Sequence, residues 1–158
     1  MAKATTVAHV RELLDAVTDP EIPVLTIAGL GILRAVELSD DGSVVVTITP
    51  TYSGCPAMSV IVEDVRSALH GAGLDRVEVR TVFTPAWTTD WMTDDAKEKI
   101  AAFGIAPPGA VGSIPRTILC PQCASTETKT VSEFGSTACK ALMVCNECLE
   151  PFDYFKAI

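Results

Sequence analysis

The sequence has no apolar run of about eighteen residues or more, so no segment is suited to cross a bilayer as a helix. Histidine is scarce: there are two, His9 and His70, and both read as helix-surface residues. Neither is placed to activate a cysteine, which removes the Cys–His pair that thiol hydrolases and peptidases need. There is no phosphate-cradling glycine loop and no dinucleotide fingerprint. Positive charge is also short. Twelve Lys and Arg against twenty Asp and Glu leave a formal net charge of −8, which opposes binding to nucleic acid or an anionic membrane through bulk electrostatics. The opening stretch, MAKATTVAHVRELLDAVTDPE, carries Arg11, Glu12 and Asp15 where a secretory signal needs an apolar core. The expectation is a cytoplasmic protein that contacts neither membrane nor nucleic acid.

What is present is a chain of 158 residues, 48% of them hydrophobic, enough for one ordinary core or a small domain with an appendage. No internal repeat is seen. Val7, Val10, Leu13, Leu14 and Val17 fall on one helical stripe, and DPEIP ends that helix because proline interrupts helix hydrogen bonding. GILRAVELSDDGSVVVTITP reads as two strands joined at Asp41-Gly42, a favoured hairpin dipeptide. The unbroken VVVTI suggests a strand buried on both faces. A second helix is expected from Pro56 to Leu69, with Cys55 at its cap and Gly71 as its stop. DRVEVRTVF alternates as a third strand with Val77, Val79 and Phe83 in phase. TPAWTTDW is a loop, and TDDAKEKIAAFG a third helix, capped by Thr93 and stopped by Gly104. The fold class is α/β (α+β), a small mixed sheet covered by helices. A linker is expected at 106–116, APPGAVGSIPR, with the α/β domain at 1–105 and a cysteine-rich module at 117–158.

In that module CPQC and CNEC place Cys120, Cys123, Cys145 and Cys148 as two C-x2-C pairs separated by twenty-one residues. Each pair fits one tight turn with backbone N–H groups aimed at sulfur, and two such turns complete a tetrahedron for structural zinc. An iron site and disulfides are the alternatives. TETKTVSEF, KALMV and EPFDYFK would be the ribbon strands. Four thiolates leave no open coordination position, and so small a module takes much of its folding energy from the metal. From Thr117 onward three lysines stand against five acids with no arginine, a net −2, so a protein partner suits this ribbon better than nucleic acid. Cys139, six residues before Cys145, reads as a small buried residue, with a reactive or substitute ligand as the alternative.

Cys55 stands apart in ITPTYSGCPAM. A helix N-terminus favours thiolate and can lower a cysteine pKa from about 8.5. Asp19 and Glu21 of DPEIP lie near it if the first turn packs against that strand edge. The three are metal-ligand types, yet the acids would also repel a thiolate and raise its pKa. The bland readings are a buried cap residue for Cys55 and a solvated turn for Asp19 and Glu21.

DPEIPVLTIAGLGIL followed by TPTYSGCPAM resembles the SufT-like iron–sulfur cluster assembly domain, with its acidic D-P-E turn and later T-x-x-x-C-P loop. FGSTACKALMVCNECLEPFDYFK together with PAWTTDWMTDDAKEKIAAFGIAPP is similar to the PaaD family of bacterial phenylacetate catabolism. The resemblance implies a role beside the phenylacetyl-CoA ring-epoxidising monooxygenase, as an accessory protein and not as an enzyme on its own. One form of that role is maturation, inserting a cluster into the reductase component. The other is a structural or coupling subunit holding reductase to hydroxylase. It also implies Cys55 as the functional thiol, with Asp19 and Glu21 in its acidic motif, and Cys120, Cys123, Cys145 and Cys148 as zinc ligands. A cluster takes four protein thiolates as a rule, and the first domain offers one. A cluster carried there is shared across a homodimer, completed by small thiols, or held only in passing.

Overall fold

The computed structural model describes residues 5–113 and 117–158. The chain divides into two compact units, Met1–Trp87 and Thr88–Ile158. The third helix therefore belongs to the second unit, although its place before the proline-rich stretch groups it with the first domain in sequence. The last part of the expected linker, residues 114–116, lies outside the described residues. Among the described residues no helix is long and apolar enough to cross a membrane.

The first unit opens with helix α1 (Val7–Leu14), whose N-cap Thr6 accepts a hydrogen bond from the His9 amide. Two strands follow, β1 (Leu33–Leu38) and β2 (Val44–Ile48), then helix α2 (Ala57–Gly71) and strand β3 (Val77–Thr81). Strand order is β1-β2-β3, antiparallel between β1 and β2 and parallel between β2 and β3. That parallel pair needs a crossover, and α2 supplies it. The hairpin turns at Gly42, whose φ of 78° suits a residue without Cβ. As the central strand, β2 buries Val44, Val45, Val46 and Ile48, as the unbroken apolar run predicts. Val10 and Leu14 of α1 and Ile61, Val65 and Leu69 of α2 are fully enclosed with it. Each such side chain contributes about 1.5–3 kcal/mol on leaving water.

Two helix-end expectations need correction. Pro56 is the N-cap of α2, so Cys55 lies one residue before the cap. Gly71 is the last helical residue and not the stop; the chain leaves the helix at Gly73, which takes φ 83°. Phe83 lies beyond β3 and is exposed.

In the second unit one turn of 3-10 helix (Thr89–Trp91) precedes helix α3 (Asp94–Ala102). The Thr93 hydroxyl accepts from the Ala96 amide, and Gly104 ends the helix with φ 95°. A two-residue strand β4 (Ile105–Ala106), invisible in the sequence pattern, joins β5 (Thr128–Ser132), β6 (Lys140–Cys145) and β7 (Pro151–Phe155) in the order β4-β7-β6-β5. Met92, Ile100, Ile105 and Phe155 are buried in this unit, and a smaller cluster sits beside the cysteines. Ala106, Met143 and Phe152 pack with Cys120 and Cys145, and Ile118 and Tyr154 lie against them.

Candidate functional site

The two C-x2-C pairs form matching turns. The first turn closes through the Cys120 amide on the Ser125 carbonyl, 3.0 Å, and the Ala124 amide on the Cys120 carbonyl, 2.8 Å. The second joins β6 to β7 and closes through the Cys145 amide on the Glu150 carbonyl, 3.0 Å. The residue after each pair, Ala124 or Leu149, takes a left-handed φ of 59° or 63° and turns the chain back. Register does the rest. Thr128 pairs with Cys145, which sets the second turn against the strand leaving the first.

All four sulfurs lie within 4.8 Å of one another. Cys120 and Cys148 are 3.7 Å apart at Sγ, and Cys123 and Cys145 are 3.6 Å apart. A tetrahedron built on zinc–sulfur bonds of about 2.3 Å has edges of about 3.8 Å. The donor set therefore fits a closed thiolate site. The sulfurs compete for protons. The Cys148 amide, with that of Glu147, draws the Cys145 thiol down to about 7. For Cys148 the Glu150 amide favours the thiolate, but desolvation and the three surrounding sulfurs push it up to about 12. A divalent cation between them removes that competition. Cys139 is not in the set. It is buried just before β6, at the end away from Cys145, with Thr137 Oγ1 2.9 Å from its sulfur.

In the first unit the charges of Glu21 and Asp19 act on the Cys55 thiol. Cys55 is half-buried in the loop between β2 and α2, with its amide on the Tyr52 carbonyl at 3.2 Å. Asp19 is buried, 7% exposed, which corrects the solvated-turn reading. Its Oδ1 accepts from the amides of Glu21 (2.8 Å) and Ile22 (2.9 Å), so the carboxylate closes the DPEIP turn. Glu21 is exposed.

Burial is the largest influence on the Cys55 thiol and pushes its pKa up. The Ala57 amide and the Thr51 hydroxyl pull it down, and the charges of Glu21 and Asp19 add to the rise. The net direction is upward, so the helix N-terminus does not activate this cysteine. Thr51, buried and hydrogen-bonded to the sulfur, has no counterpart in the sequence-level site. The signal for it is its place four residues before Cys55 in the T-x-x-x-C-P loop. Thr49, at the end of β2, buries a hydroxyl that has no hydrogen-bond partner among the described residues.

Comparison with known proteins gives two family matches, the iron-sulfur cluster assembly protein family over residues 8–82 and the PaaD zinc beta ribbon domain over residues 106–156. The chain is 50% identical, over 92% of its own length and 90% of the other's, to an Escherichia coli protein named as a subunit of 1,2-phenylacetyl-CoA epoxidase. It is 40% identical to a Porphyromonas gingivalis protein named an Fe-S protein maturation auxiliary factor, over 53% of this chain and 80% of that one. Among solved structures it is similar to a domain of unknown function from Bacillus anthracis, with 31% identity and a TM-score of 0.56 over 60% of this chain and 90% of that one. A conserved hypothetical protein of Thermotoga maritima gives 32% identity and a TM-score of 0.55 over 63% of this chain and 98% of that one.

Proposed function

The chain belongs to the PaaD family, an iron–sulfur assembly domain joined to a PaaD zinc ribbon, and on that footing we propose that it is a maturation factor without turnover of its own. Its work is to help the reductase component of the phenylacetyl-CoA ring-epoxidising monooxygenase acquire an iron–sulfur cluster, in the cytoplasm. The ribbon holds structural Zn²⁺ on Cys120, Cys123, Cys145 and Cys148, a set with no open position for chemistry.

The observation that carries this reading is the single half-buried thiol of Cys55 with two carboxylates acting on it. A thiolate and carboxylates suit iron. The raised pKa adds a gating property. With no cation present, burial and the charges of Glu21 and Asp19 keep the sulfur protonated and quiet. An arriving iron centre inverts that balance: its positive charge is attracted by the same carboxylates, and the thiol gives up its proton on coordination. Cluster or iron is cargo here. One thiolate per domain holds it weakly, so it passes on, or is shared across a homodimer or with small thiols. The test is to express the reductase with and without this protein and to measure iron and sulfide in the purified reductase. Equal loading in both would overturn the proposal.

A second reading, a non-catalytic subunit that couples reductase to hydroxylase, is favoured by the name of the Escherichia coli relative, which makes that protein part of the epoxidase. It predicts fully loaded reductase without this chain, and a stoichiometric complex with it.

A further inference from the structure

The metal end of the ribbon carries apolar side chains where an isolated turn is served by polar ones. Leu149 is 73% exposed and Leu119 is 52% exposed. Leu119 precedes Cys120, Leu149 follows Cys148, and those two sulfurs are 3.7 Å apart, so both leucines are chain neighbours of cysteines that meet in the sulfur set; Leu119 also lines a cavity with Tyr154 and Lys156. Leu149 also holds φ 63°, a left-handed conformation that glycine takes at less cost than a side chain branched at Cγ. Folding gains neither burial nor a preferred backbone from leucine at 149.

The surroundings are acidic. Residues 117–128 and 145–151 contain Glu127, Glu147 and Glu150 and no Lys, Arg or His, and all three carboxylates are on exposed residues. The ribbon has three lysines. Lys140 is buried at the far end of β6. The Lys156 amine donates to the Glu133 carbonyl and lies over the Phe134 ring. Lys129 is exposed in β5 and pairs with Val144, directly before Cys145, so three carboxylates outnumber one amine at this end.

We propose that Leu119 and Leu149, edged by Glu127, Glu147 and Glu150, are the surface through which this chain docks its protein client, and that the client presents an apolar pocket rimmed by Lys or Arg. The proposal rests on the client reading above and names the surface that serves it. Charge complementarity selects the occupant. The same acids repel nucleic-acid phosphate, and a second copy of this tip would set acid against acid. A basic rim is steered in by the carboxylates, and the buried leucines then slow its departure.

The test uses the full chain loaded with zinc and measures its binding to the purified reductase and to each other purified component of the epoxidase. Leu149→Gly suits the left-handed backbone, so metal content and melting temperature should hold or rise. Its affinity for the client should fall at least tenfold, through faster dissociation. Glu147→Lys combined with Glu150→Lys should slow association, and binding of the unaltered chain should weaken as salt is raised. If Leu149→Gly binds as tightly as the unaltered chain, the surface is wrong although the client reading stands. If the unaltered chain binds no component, the client reading fails and the surface with it.

Discussion

The sulfurs of Cys120 and Cys148 stand 3.7 Å apart although 28 positions separate them in the chain. That separation matches the edge of a zinc–thiolate tetrahedron, and the pairing of β5 with β6 and β6 with β7 produces it. Protein purified without added metal should contain one equivalent of zinc. Cys148→Ser should lose that metal and unfold the second unit, while residues up to Trp87 keep their own core. Elemental analysis with amide hydrogen exchange checks both parts. Retained zinc in the variant would contradict the assignment.

Gly135 gives a prediction for the ribbon's far end. A Cβ there would stand 2.6 Å from Asp153 Oδ1 and 3.3 Å from the Lys140 carbonyl oxygen. Asp153 cannot swing away freely, because its Oδ2 accepts from Ser136 Oγ at 3.0 Å and lies 3.7 Å from the buried Lys140 amine. Gly135→Ala should therefore destabilise the second unit by about 1–3 kcal/mol, read by denaturant melts of the zinc-loaded protein.

Asp19 closes its turn through two backbone amides. Asp19→Ala removes both bonds and should cost about 1–2 kcal/mol. Asp19→Asn keeps an acceptor and should restore most of that stability. If the charge also serves iron handling, Asp19→Asn restores folding without restoring cluster content in the client.

The raised pKa of Cys55 sets a pH dependence. The folded protein favours the protonated thiol, so this contribution to stability is present below the ordinary thiol range and is lost as pH rises through the raised value. Alkylation of Cys55 should accordingly be slow near neutrality, with its inflection above that of a free thiol. Glu21→Gln removes one of the charges that raises it, so the inflection should move down. An unchanged alkylation profile in Glu21→Gln would separate the two residues.

Much of this is legible in the residues themselves. The apolar run of β2 names the central strand, Thr93 and Gly104 bracket α3, and the cysteine spacing names the sulfur set. These signals are local, written in period, cap or spacing. What escapes depends on contacts distant in sequence. β4 is two residues long and exists because β7 pairs with it. The burial of Asp19 follows from a turn folded back so that its amide reaches the Leu25 carbonyl. The upward shift at Cys55 is a balance between burial, two donors and two acids; the helix end alone points the other way.

The central claim is that Cys55 handles iron or cluster for a client, and one comparison tests it most directly. The reductase is co-expressed with the unaltered chain or with Cys55→Ser, and iron and sulfide are measured in the purified reductase beside the melting temperature of the variant. Serine keeps the size and a hydroxyl for Thr51, so stability should change by no more than about 1 kcal/mol. The account predicts a folded Cys55→Ser chain and a reductase poor in iron and sulfide. A fully loaded reductase beside that variant would contradict it and leave Cys55 as a half-buried loop residue.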